Sequence, residues 1–191
     1  METFELPPSS PRRSRPGSAA STSSGGGTPR ADRTLSAAEC EDHAASMRLE
    51  EVQHLAVRDL GLTRLQSTAA QRLQCLVALS LSHNKLASLD SLAPLRALEE
   101  LNVNFNRVGT LAVRRAGGGG GGAWPKLRKL YASNNRLPSL VGAEQWSSTL
   151  EVLCAFRNRV ADLAPAIDLL RSFSKLRELD LDGNPCAHGD G

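Results

Sequence analysis

Aromatic residues are few in this sequence: one Tyr, two Trp and four Phe in 191 residues. A core drawn from so few rings is expected to be aliphatic, and leucine is abundant. Cysteine is scarce as well; Cys40, Cys75, Cys154 and Cys186 lie far apart, with no CxxC pair. This spacing gives neither a disulfide framework nor a four-ligand zinc pattern. Reduced thiols are expected, with no metal and no cofactor. No apolar run approaches the roughly 18 to 20 residues that span a bilayer. The arginines near Met1 are not followed by the apolar segment of a secretory signal. A formal net charge of +3 is small and scattered, unlike the clustered basic footprint of a nucleic-acid binder. The expectation is a soluble, cytoplasmic chain that touches neither membrane nor nucleic acid directly.

Composition divides the chain. Residues 1–33 are dominated by Pro, Ser, Gly and Arg, too poor in apolar surface to offset the entropy of ordering, and are expected to form a disordered tail. Within it, Arg12, Arg13 and Arg15 beside Ser10 and Ser14 read first as a solvated basic stretch. Residues 34–51 are expected to be an N-terminal capping helix, because Ser36 and Glu39 have capping-box spacing ahead of an Ala- and Met-containing stretch.

The remainder repeats. LVALSLSHNKLASL, from Leu76 to Leu89, carries apolar residues at relative positions 1, 4, 6, 11 and 14 and Asn84 at position 9. The frame returns from Leu98, Leu127, Leu150 and Leu176, with Asn106, Asn135, Asn158 and Asn184 in the ninth place. An earlier copy, from Val52, has Leu60 there and reads as a terminal repeat. Apolar positions 4 and 6 flanking one outward residue describe a short strand with one buried face. No copy can bury its leucines alone, so the copies must stack as a solenoid. The asparagines are expected to turn the chain and to bond buried backbone groups that no strand partner reaches.

This pattern resembles the leucine-rich repeat family, LxxLxLxxNxLxxL, over residues 52–185, and the 22-residue step from Asn84 to Asn106 resembles its Sds22-like subclass. The resemblance implies an α/β solenoid, a horseshoe of about six repeats with short parallel strands on the concave face and turns, 3-10 or short helices on the convex face. The 29-residue step from Asn106 to Asn135 contains the glycine run Gly117 to Gly122, expected to be a flexible insertion at 114–124 rather than a phosphate-cradling loop. The 26-residue step from Asn158 to Asn184 fits a longer helix from Pro165, with Ile167, Leu170 and Phe173 on one face.

Positions 3, 5 and 7 of each repeat should point outward on the concave sheet. They offer Arg58, then Asn102 and Asn104, then Lys129 and Tyr131, then Phe156, and finally Glu178, Asp180 and Asp182. These are the candidate protein-binding residues. Rigid aromatics amid polar groups have the character of binding hot spots, and leucine-rich repeat proteins generally recognise proteins through this surface. The carboxylate row has no adjacent histidine or walled pocket, so it reads as a recognition patch and not as a catalytic site. Residues 186–191 are expected to be a disordered tail without the cap that Sds22-like proteins carry after their last repeat; either the sequence is a fragment or shortened isoform, or a partner or further chain covers that edge. The resemblance implies a non-catalytic scaffold or adaptor, in cilium, centrosome or other cytoskeletal assembly. The alternative is a phosphatase regulatory subunit, and an RNA-associated complex subunit follows behind.

Overall fold

One three-residue strand per repeat is the recurring element. The computed structural model describes residues 32–45, 47–114 and 122–187. In chain order the elements are β1 (Thr34–Leu35), α1 (Ala37–His43), β2 (His54–Ala56), β3 (Arg64–Leu65), α2 (Ser67–Arg72), β4 (Ala78–Ser80), β5 (Glu100–Asn102), β6 (Lys129–Tyr131), β7 (Val152–Cys154), α3 (Leu163–Leu170) and β8 (Glu178–Asp180). Strands β2, β4, β5, β6, β7 and β8 form one parallel sheet in that order, while β1 and β3 pair separately. The register matches the repeat frame, setting Leu55, Leu79, Leu101, Leu130, Leu153 and Leu179 in one row. All but Leu179 are buried. A fully buried leucine stabilises by roughly 1.5 to 3 kcal/mol relative to an exposed one, and because every row continues into the next repeat, that gain depends on stacking.

The asparagines hold each repeat to the one before it. Asn135 Nδ2 donates to the carbonyls of Val103 (2.9 Å) and Ala132 (3.0 Å), and its Oδ1 accepts from the Val108 amide at 2.9 Å. Asn84, Asn106, Asn158 and Asn184 make the corresponding bonds. Where the first copy has Leu60, its amide donates to Asn84 Oδ1 at 3.2 Å. Immediately before the ninth place, Asp59, His83, Phe105, Asn134, Arg157 and Gly183 have φ of 59°, 57°, 56°, 56°, 49° and 68°. The chain turns through the left-handed region at every repeat.

Several elements differ from the sequence-based expectations. The capping box at Ser36 and Glu39 is formed in both directions, yet its helix spans only Ala37–His43 and is preceded by a strand. Order begins before residue 34, since the Arg33 carbonyl accepts from the Thr63 amide at 2.8 Å and Arg33 pairs with Glu39 at 3.2 Å. The core is not purely aliphatic. Trp124 and Trp146 are both fully buried and stack at 5.5 Å between ring centroids. Each indole is satisfied, Trp124 Nε1 by the Leu92 carbonyl (2.9 Å) and Trp146 Nε1 by that of Ala123 (2.8 Å). Ala123 and Trp124, the last residues of the expected insertion, are thus core residues; 115–121 lie outside the described residues, as do 1–31 with Ser10, Arg12, Arg13, Ser14 and Arg15. Helix α3 begins at Leu163 and buries Ala166, with Leu169, Leu170 and Phe173 half-buried against the core, whereas Ile167 is exposed. Cys186 and Ala187 belong to a 3-10 turn, Pro185–Ala187, with the Cys186 amide on the Val160 carbonyl; 188–191 lie outside the described residues.

Candidate protein-binding face

The solvent face of the six-stranded sheet carries positions 3, 5 and 7 of each repeat in three columns. The sheet's register fixes which residues are neighbours across strands: Glu100 faces Lys129, Asn102 faces Tyr131, Tyr131 faces Cys154, and Cys154 faces Asp180. Arg58 lies over the first strands, with its Nε donating to Ser80 Oγ at 3.3 Å. Ser80 and Ser82 are buried despite pointing outward. Asn102 and Asn104 are half-exposed, but their side-chain oxygens are taken by backbone, Asn102 Oδ1 by the Asn104 amide (3.0 Å) and Asn104 Oδ1 by the Ser133 amide (2.7 Å). Their NH2 groups are the donors left to face solvent.

Lys129 pairs with Glu100 at 3.5 Å, which cancels charge at the centre of the face. Tyr131 and Phe156 are half-exposed. The Arg157 guanidinium sits over the Phe156 ring, 5.0 Å from its centroid, a cation–π arrangement. Glu178, Asp180 and Asp182 close the face on β8 and the turn after it. Among the described residues none of these three forms an ion pair. Their field reaches inward: the Tyr131 hydroxyl is pushed above its ordinary pKa by burial first, then by Glu100, the Cys154 thiol and Glu178. Burial likewise raises the Cys154 thiol, with Asp180 and Glu178 adding to it.

Two rings on this flank escape a reading of the strands alone. His83 and Phe105 occupy the left-handed turn positions of successive repeats and stack at 4.2 Å with 15° between planes; Phe105 is 48% exposed. The signal was present in the frame, since both directly precede the ninth-place asparagine. All four cysteines are free. Among the described residues no group of three or more His, Cys, Asp or Glu is placed to hold a metal ion, and no helix is long and apolar enough to cross a membrane. A groove of ≈ 860 Å³ between β3, α2 and the 3-10 turn Asp90–Leu92 is lined by Arg64, Arg96, Asp90 and three glutamines among others. Two guanidiniums, one carboxylate and several amides together select no single ligand class.

A profile of the family described as leucine rich repeat matches residues 50–108. Over those residues the chain is similar to leucine-rich repeats. Parallel strands on one side and short helices and turns on the other make the fold a leucine-rich repeat solenoid. Among solved structures, the leucine-rich repeat ectodomain of the receptor kinase SOBIR1 from Arabidopsis thaliana is similar, at 27% identity over 68% of each chain with a TM-score of 0.48. No curated protein matches the chain. Leucine-rich repeat proteins are in general non-catalytic binding scaffolds, and the profile indicates no enzymatic family.

Proposed function

We propose that this leucine-rich repeat chain is a non-catalytic scaffold or adaptor that docks a protein on the solvent face of its sheet. The observation that carries the reading is the division of its rings. Trp124 and Trp146 fill the core, whereas Tyr131 and Phe156 stand on the outward columns beside polar and charged groups. A ring left half-exposed on a rigid sheet loses little entropy when a partner covers it, which is the physical basis of aromatic hot spots. Arg58, Asn102, Asn104 and Lys129 extend the docking face along the sheet, and Glu178, Asp180 and Asp182 end it. The Sds22-like step from Asn84 to Asn106 supports a cytoplasmic role in cytoskeletal assembly, at the cilium or centrosome. The same likeness supports a phosphatase regulatory subunit as the alternative.

The test is affinity capture with the intact chain beside a Tyr131→Ala/Phe156→Ala variant whose circular dichroism is unchanged. The variant is expected to lose its principal captured protein. Equal capture by both would remove the sheet face from consideration. Recovery of a phosphatase catalytic subunit as the lost protein would favour the alternative, and recovery of a ciliary or centrosomal component would favour the first reading.

A further inference from the structure

The docking face holds one place where shape and charge together specify a partner side chain. Cys154 is the small residue at the centre of the outward column of β7. Across the sheet its neighbours are Tyr131 on one side and Asp180 on the other. Adjacent strands lie about 4.8 Å apart, so the backbones carrying the phenol and the carboxylate are roughly 10 Å apart with only a thiol between them. Along β7 the slot is bounded by the buried Val152 and by Phe156, whose ring is already covered by Arg157. Glu178 faces Val152 on the next strand and so lies diagonally from Cys154.

The carboxylates beside this slot form no ion pair among the described residues, the Arg157 guanidinium at its end being held over the Phe156 ring. One column over, the outward carboxylate of Glu100 is neutralised by Lys129 of the neighbouring strand at 3.5 Å. Glu178 and Asp180 have no such partner among the described residues, and the residue facing Asp180 is the uncharged Cys154. We infer that, on the docking face proposed above, the slot over Cys154 seats an arginine side chain presented by an extended segment of a partner protein. A guanidinium is planar, stacks on an aromatic face, and donates in a fork to a carboxylate. Tyr131 supplies the ring, Asp180 Oδ2 an acceptor beside an Oδ1 that accepts from the Asp182 amide at 3.0 Å, and Glu178 a second carboxylate. Lysine lacks both the planarity and the fork. A second copy of this chain paired along β8 is disfavoured, because antiparallel pairing centred on Leu179 would set Glu178 of one copy against Asp180 of the other, a like-charge pair.

The probe is N-acetyl-arginine amide, titrated into the uniformly 15N-labelled full chain. Saturable shifts are expected at the amides of Tyr131, Cys154 and Asp180, half-complete at millimolar concentration, on the order of what one side chain can supply. In Glu178→Gln/Asp180→Asn the affinity should drop at least tenfold while the amides of β4 and β5 keep their positions. Tyr131→Ala should weaken binding severalfold. N-acetyl-lysine amide should bind at least threefold more weakly than the arginine probe. The inference is overturned if N-acetyl-glutamine amide or calcium chloride reproduces the shifts, if lysine and arginine bind alike, or if the carboxylate double variant binds unchanged. Its failure is separable from that of the docking reading. Partner capture lost in Tyr131→Ala/Phe156→Ala but kept in Glu178→Gln/Asp180→Asn removes the arginine seat and leaves the docking face; capture kept in both removes the face as well.

Discussion

A thiol without water is a weak acid, and Cys40 shows what that does to stability. It is fully buried on α1, and burial pushes its pKa up to about 12, with Glu39 and Glu41 adding in the same direction. Below the ordinary thiol range near 8.5 both the folded and the unfolded chain keep the proton, and the thiol adds no pH dependence. Above it only the unfolded chain releases the proton, so stability falls as pH rises toward 12. The urea midpoint of the native chain is therefore expected to drop more steeply between pH 8.5 and 10.5 than that of Cys40→Ala. A matching slope in the two proteins would contradict the argument. At pH 8 a thiol reagent should label the exposed Cys75 and spare Cys40. From the sequence, only the wide separation of the cysteines could be read; which one is buried follows from the helix end and the packing of α1, and neither is written in the spacing.

At the scale of the element, the strands were legible and the connections were not. A strand requires only that positions 4 and 6 be apolar around an outward residue, a local condition that each copy states in full. The connections depend on what fills the space between repeats. Trp124 and Trp146 stack across 22 residues of chain, and no local period announces a contact of that kind. Helix α3 likewise begins two residues before Pro165, with Asp162 as its N-cap, and this phase turns Ile167 outward. Gly142 leads into the turn that carries Trp146, with φ of 101°, and a Cβ there would run into the backbone of Leu111 and Ala112. Alanine at this position must displace backbone as well as adopt a disfavoured conformation. Gly142→Ala is expected to lose about 2 kcal/mol or more, read as a lowered midpoint in thermal denaturation together with increased solvent exposure in tryptophan fluorescence. An unshifted midpoint would show that the turn relaxes freely.

The molecule as a whole is held by nearest neighbours, each repeat bonded through its asparagine to the one before. Asn135→Ala would leave the buried Val108 amide unpaired and remove one of two bonds from each of the Val103 and Ala132 carbonyls, which keep Asn106 Nδ2 and Asn158 Nδ2. At roughly 1 to 3 kcal/mol for the unsatisfied amide, with the two weakened carbonyls adding to it, a loss of about 2 to 4 kcal/mol is expected in urea denaturation. Hydrogen exchange should place the lost protection in β5 and β6 on either side of the cut before it reaches β2. The sequence stated the outward columns through the same frame that stated the core, which is why Tyr131 and Phe156 could be placed in advance. It did not reveal that Arg157 covers Phe156 or that Lys129 is cancelled by Glu100, because those contacts depend on rotamers and on cross-strand register. The left-handed turns carry one further consequence. Asp59, His83, Phe105, Asn134 and Arg157 hold a backbone conformation that glycine adopts freely, as Gly183 does in the last repeat. Such a conformation costs an ordinary residue on the order of 1 kcal/mol. Glycine at all six places would make a sturdier molecule with a blank rim. The imidazole, ring and guanidinium found there are maintained against the preference of the backbone, so a version of this chain tuned for durability alone would be expected to lose them first.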